Sequence, residues 1–210
     1  MKRRTLLTTG GSALVALGAS QWPSMALAQE ADGEAPLFSE MVLGDPNAPV
    51  EVIEYASYTC PHCASFHANQ FKDLQANYID TGKIRFIYRE VYFDRPGLWA
   101  SMIARCAGDQ NFFFAFTDLL YAEQRTWLAS GDPAGIVAEL RRMAKTAGMD
   151  DGALDACLSD AAKAEALFGW YQENAERDGI NSTPSFMIDG VKYSNMAYDD
   201  FAAILDDKLG

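Results

Sequence analysis

Val50-Glu51-Val52-Ile53-Glu54-Tyr55-Ala56, then Ser57-Tyr58-Thr59, then Cys60-Pro61-His62-Cys63, is the stretch that decides the fold of this chain. Its first seven residues are dominated by types that suit a pleated strand. They leave the turn Gly44-Asp45-Pro46-Asn47-Ala48-Pro49, where two prolines and a glycine mark a break. The two cysteines fall where strand chemistry gives way to helical spacing, since Phe71, Leu74 and Tyr78 recur at intervals of three and four before Asp80 and Gly82. Ile84-Arg85-Phe86-Ile87-Tyr88 then reads as a second strand. Strand, helix and strand in that order predict a parallel pair joined by a right-handed crossover.

That placement gives Cys60 and Cys63 a chemistry. A thiol at a helix N-terminus faces orphan amides and the positive end of the helix dipole, both of which favour the thiolate. Cys63 lies one turn on and within reach. His62 adds an imidazolium near the thiolate, and Pro61 completes the spacer. Whatever stabilises the thiolate stabilises the reduced pair, which makes its disulfide oxidising toward other thiols. A zinc site would need a second ligand pair, and Cys106 and Cys157 do not form another CxxC. Covalent haem would need a histidine after the second cysteine, where Ala64 stands. A purely structural CxxC disulfide remains open at this level. His67, on the predicted helix, reads as a surface or packing residue rather than a catalytic one.

Outward from this unit, residues 96 to 177 are almost wholly helical in pattern. Asp132-Pro133 resembles a cap followed by a first-turn proline, with Ile136, Leu140 and Met143 on one face and Gly148 closing the segment. Ala164, Leu167, Phe168, Tyr171 and Ala175 mark another such face. Strand chemistry returns at Pro184-Ser185-Phe186-Met187-Ile188, a turn at Asp189-Gly190, and Val191-Lys192-Tyr193. A last helix carries Tyr198, Phe201, Ile204 and Leu205. The expectation is one interrupted α/β domain, residues 44–95 and 178–210, with a helical insertion over 96–177.

Residues 1–28 read as an export signal: Lys2, Arg3 and Arg4 precede a mildly apolar stretch from Leu6 to Ala19, and Ala26-Leu27-Ala28 suits cleavage. The arginine pair also resembles a twin-arginine signal. Residues 29–43 read as a flexible segment. Without the signal the formal charge moves from −12 to −15, which argues against nucleic acid and against adsorption to anionic lipid. No later apolar run is long enough to span a bilayer, so stable membrane insertion is not expected. Of the four cysteines, if Cys60 and Cys63 are the reactive pair, Cys106 and Cys157 remain to form a structural disulfide. Ile103 and Leu154, each three positions earlier, would turn both toward one interior. Two separate buried thiols are the rival reading.

Glu54-Tyr55, Cys60-Pro61-His62-Cys63 and Thr183-Pro184-Ser185-Phe186 together resemble the DsbA-like branch of the thioredoxin superfamily, over nearly the whole chain after the signal. The resemblance implies a thioredoxin-like fold with a helical domain inserted between its βαβ half and its C-terminal hairpin and helix. It implies Cys60 as the exposed nucleophile, Cys63 as the buried resolving thiol, and Thr183-Pro184 as a cis bond beside them. It also makes Glu54 the buried acid near Cys63, although by itself Glu54 would read as a solvent-facing residue of an edge strand. The implied activity is that of an exported dithiol oxidase in the periplasm or cell envelope, acting as a monomer on reduced exported proteins. Reoxidation would fall to a DsbB-like, quinone-linked inner-membrane oxidase, and no cofactor or metal is implied. A disulfide isomerase or reductase and a non-enzymatic thioredoxin-fold binding protein are the alternatives.

Overall fold

The computed structural model describes residues 38–210. The signal read over residues 1–28 lies outside the described residues, as does the start of the 29–43 segment. The strands are β1 (Met41–Gly44), β2 (Val50–Ala56), β3 (Ile84–Glu90), β4 (Ser185–Ile188) and β5 (Val191–Ser194). They form one sheet in the order β1-β3-β2-β4-β5. The β2 and β3 strands are parallel, and every other pairing is antiparallel. Between β2 and β3 run α1 (Pro61–Asn69), α2 (Phe71–Leu74) and a π-helical segment Gln75–Ile79. The single helix expected there is therefore broken at Gln70.

The β1 strand corrects the expectation of flexibility only at the end of the 29–43 segment, over residues 41–43. Met41 to Gly44 register against Tyr88 to Arg85 on the outer edge of β3. A four-residue strand is too short to show alternation, and its partner lies more than forty residues on. Gly44 is required where β1 ends: its φ is +89°, and a Cβ there would sit 2.5 Å from the carbonyl oxygen of Ile84.

The helical block comprises α3 (Arg95–Ala104), α4 (Gln110–Ala122), α5 (Gln124–Trp127), α6 (Pro133–Thr146), α7 (Asp151–Ser159) and α8 (Ala161–Arg177). Five of its helices begin at an aspartate, Asp94, Asp109, Asp132, Asp150 or Asp160, whose carboxylate accepts a first-turn amide. Each such cap stabilises its helix by about 1 kcal/mol, so part of the acidic composition has a local structural role. The closing helix is α9 (Tyr198–Leu209).

Alternation along β2 sorts its side chains onto the two faces of the sheet. Val50, Val52 and Ala56 join the main core with Phe66 of α1, Phe186 of β4 and Phe201 of α9. The rings of Phe66 and Phe186 lie 5.0 Å apart, and those of Phe186 and Phe201 lie 4.9 Å apart. Ile53 and Tyr55 face the other way, against Ile87, Val91 and Met187, with Tyr171 of α8 over them. Period two places Glu54 on the main-core face, where it is wholly buried.

Candidate active site at the strand-to-helix turn

Cys60 is the residue that ends the extended run and caps α1, with φ −80° and ψ 120°. Proline follows at the first helical position, where an N–H would have no helical partner. The first amides free to face the Cys60 sulfur are therefore those of His62 and Cys63. Several contacts fix this turn. The Cys60 N–H donates to the Ser57 carbonyl at 3.1 Å. Gln124, buried at the start of α5, donates from Nε2 to the carbonyls of Tyr58 and Cys60 at 2.8 and 2.9 Å. The Thr59 hydroxyl donates to Asp94 at 2.7 Å, and Asp94 accepts the Gly97 amide at 2.9 Å as the cap of α3. The helical block thus grips the turn at two places.

The two thiols differ sharply. Cys60 is partly exposed and Cys63 is wholly buried. Hydrogen bonding from the Cys63 thiol is the main reason the Cys60 thiol is lowered from 9.0 to about 5. Partial burial opposes it, and the Thr183 side chain and the amides of Cys63 and His62 add to it. Burial pushes the Cys63 thiol far up, helped by its bond to Cys60 and by the negative charge of Glu54. At neutral pH Cys60 is thus mainly thiolate, while Cys63 holds its proton. The cause that comes from His62 is its backbone N–H, and its imidazole is exposed.

On the far side of the sulfur lies the segment before β4. The Thr183–Pro184 peptide is cis. It brings the Thr183 carbonyl within 3.3 Å of Cys60 Sγ, where a protonated thiol can donate to it. A stretch of 123 residues separates these two positions in the chain.

Glu54 and His67 meet below the turn. The β2 strand lies in the centre of the sheet, between β3 and β4, so the edge-strand reading of Glu54 fails. His67 is buried rather than on the surface, and its Nε2 lies 2.9 and 3.2 Å from the two carboxylate oxygens of Glu54. The structure therefore brings together Cys60, Cys63, Glu54, Thr183 and Pro184, while the His62 ring points outward. It also adds Gln124, Asp94 and the Glu54–His67 contact, none of which sequence reasoning singles out.

A family model described as Thioredoxin matches residues 38–207, which span the sheet, the helical block and most of the closing helix. The chain belongs to the thioredoxin family. Within it, the similarities point to the DsbA-like branch. The crystal structure of Wolbachia pipientis alpha-DsbA1 superposes with a TM-score of 0.75 at 30% identity, covering 83% of this chain and 93% of that one. A protein-disulfide isomerase structure from Novosphingobium aromaticivorans gives 0.72 at 26% identity, covering 80% of this chain and 97% of that one. A Rickettsia bellii protein described as a protein-disulfide oxidoreductase is 33% identical over 168 residues, 80% of this chain and 64% of its own length. The chain spans 60 to 64% of the length of the curated Rickettsia relatives it matches.

As a DsbA-like thioredoxin-family member, the chain carries a second cysteine pair far from the first in environment. Cys106, just after α3, is disulfide-bonded to Cys157 of α7, with a Cα separation of 6.0 Å. Ile103 and Leu154 are both fully buried beside it. Among the described residues no three histidine, cysteine or acidic side chains are grouped as a metal would require. No helix among them is long and apolar enough to cross a membrane.

Proposed function

We propose that this chain is an exported dithiol oxidase that introduces disulfides into other proteins through Cys60 and Cys63. The observation that carries the proposal is the asymmetry of two neighbouring sulfurs: Cys60 is partly exposed at the N-terminus of α1 beside the Thr183 carbonyl, while Cys63 is wholly buried one turn on, which lowers the first thiol and pushes the second up. A substrate thiolate attacks Cys60 of the oxidised pair, the Cys60–Cys63 bond breaks, and a second substrate thiolate attacks the substrate sulfur of the mixed disulfide. Cys60 then departs as a stable thiolate, which drives the exchange toward an oxidised substrate. The backbone of Thr183, beside the cis Pro184, offers hydrogen-bonding groups to an extended substrate segment next to that sulfur.

The arginine pair and the small-x-small site in residues 1–28 support export to the periplasm or cell envelope, and a DsbB-like quinone-linked oxidase would restore the disulfide. A disulfide isomerase is the second reading, favoured by the likeness to the Novosphingobium protein-disulfide isomerase. Stoichiometric oxidised protein should fold a reduced multi-cysteine client without added oxidant, and acid trapping in cells should find Cys60 and Cys63 mostly oxidised. A mostly reduced pair in cells would sink the oxidase reading in favour of isomerase.

A further inference from the structure

We propose that Asp178 is a positioning residue: bonded to Tyr55 and Arg89, it latches the end of α8 onto the sheet and so holds the segment 179–183, which an extended client must meet, in place across from Cys60. This deepens the thiol-exchange reading above and rests on it.

Asp178 stands at an unpromising place for a carboxylate. It closes α8, with its N–H donating to the Asn174 carbonyl at 3.1 Å, and the C-terminal end of a helix carries partial negative charge that repels an anion. Its side chain is only 13% exposed, which adds a desolvation cost. Neither capping nor solubility explains an acid there, but its partners do. The Tyr55 hydroxyl donates to Oδ2 of Asp178 and accepts from Arg89 Nη1 at 2.7 Å, and Arg89 also reaches Asp178 directly at 3.2 Å. Arg177 adds a bond from Nε to Oδ1 at 3.0 Å. Burial works against the charge, yet the bonds from Arg177 and Tyr55 and the charges of Arg177 and Arg89 outweigh it and hold the carboxyl below its ordinary range.

Tyr55 and Arg89 belong to the middle of the sheet. Tyr55 lies on β2, the strand that delivers Cys60, and Arg89 registers beside it on β3. Both are buried, and Arg89 is itself held by Glu40, just ahead of β1, at 2.6 Å. The latch therefore grips the chain where the helical block ends and fastens it to the strand behind the nucleophile. The surroundings are apolar, with Ile53, Ile87, Val91 and Met187 packed together. A phenylalanine and aliphatic side chains could fill such a space, and a buried ion pair is often no more stabilising than its apolar replacement. What the polar set adds is one fixed registration of α8 on β2.

That registration reaches the sulfur through a short piece of chain. The Gly179 carbonyl accepts from Lys192 of β5. The Ile180 N–H donates to the Ala175 carbonyl at 2.7 Å, and its side chain packs onto the cluster that holds Tyr55. At the other end the Ser182 carbonyl accepts from Ser185 Oγ at 2.8 Å. Asn181 and Ser182 are exposed, and the Thr183 carbonyl ends 3.3 Å from Cys60 Sγ. The backbone groups offered to a client thus hang between Asp178 and β4. Releasing Asp178 loosens one end of this span, while Cys60, Cys63 and the first amides of α1 keep their places.

The test follows, by acid quench and mass, the opening of the Cys60–Cys63 disulfide by two thiols in excess: β-mercaptoethanol, which meets only the sulfur, and a short extended peptide with one central cysteine. D178A should react with the peptide about 10-fold more slowly than the wild type and with β-mercaptoethanol at the wild-type rate. Y55F keeps the ring and the direct contact between Arg89 and Asp178, so it should show the same selective loss at about threefold. D178N keeps an oxygen for the Tyr55 hydroxyl and should recover most of the peptide rate. Loss of both rates together in D178A, which means general damage to the site, or loss of neither, which means a brace without effect on clients, overturns the latch. Should D178A fail to fold, the same two rates in Y55F decide the matter. Failure of the wild type to react with either thiol would instead defeat the exchange reading, and the latch with it.

Discussion

The two cysteine pairs of this molecule share an element and almost nothing else. Cys60 and Cys63 sit three residues apart on one helical turn, the first of them partly exposed, with amides aimed at its sulfur and a neighbouring chain segment across from it. Cys106 and Cys157 are 51 residues apart, tie two helices together, and lie against the fully buried Ile103 and Leu154. Reactivity is therefore a property of the surroundings. A sulfur becomes a good leaving group where its charge is solvated by fixed dipoles, and becomes a brace where it is packed between helices.

The largest expected effect separates the pairs outright. Cys60→Ser should abolish client oxidation in a refolding assay, whereas C106A/C157A should retain it. The double variant should instead lose about 4 kcal/mol of unfolding free energy, the chain-entropy value for a loop of 51 residues. Denaturant melts of oxidised wild type and variant would measure this. Equal stability would mean that the second pair is not a brace, and loss of activity would mean that the pairs are coupled.

A finer difference is the proton count of reduction. Between the two thiol pKa values, reducing Cys60–Cys63 takes up two electrons and one proton, because Cys60 stays a thiolate. The potential should fall by about 30 mV per pH unit above about pH 5 and by about 59 mV per unit below it. The same shift fixes the sign of the pH effect on stability. The Cys60 thiolate stabilises the reduced fold fully above its ordinary pKa of 9.0, and this contribution is lost as pH falls through about 5. Equilibration against glutathione across pH would reveal the break, and a constant slope would refute the acid-shifted thiol.

The smallest effect concerns His62. Its ring is exposed, and what it contributes to Cys60 is a backbone N–H that alanine also supplies. H62A should therefore be a weaker oxidant by no more than about 30 mV, a tenfold change in equilibrium constant. A larger drop would restore the imidazole to the central role that the sequence suggests for it.

Much of this is legible in the residues because it is local. The strand into Cys60, the proline at the first helical position, the aspartate at Asp132 and the Asp189-Gly190 turn all announce themselves within a few positions. Glu54 misleads for a physical reason: alternation shows that it shares a face with Val52 and Ala56, but a single charge on that face suggests solvent until its partner is known. That partner, His67, is thirteen residues away on a different element. Gln124 and Asp94 stay invisible because nothing nearby in sequence marks an amide or a carboxylate that will reach back 64 or 35 residues to the redox turn. The β1 strand escapes a sequence reading because it exists only as an edge for β3.

Gln124 has a consequence for anyone who would treat the helical block as an interchangeable cassette. One carboxamide at the inner end of α5 holds the carbonyls of both Tyr58 and Cys60. The block's outward faces are thus open to redesign, while this contact, with Asp94 on Thr59, behaves like a key in a lock plate. A transplanted block without a donor at that point should still fold and still cover the sheet, yet leave the nucleophile on a loose mounting. Grafts between family members should accordingly be judged by whether they deliver that amide, before helix lengths or surface charges are compared.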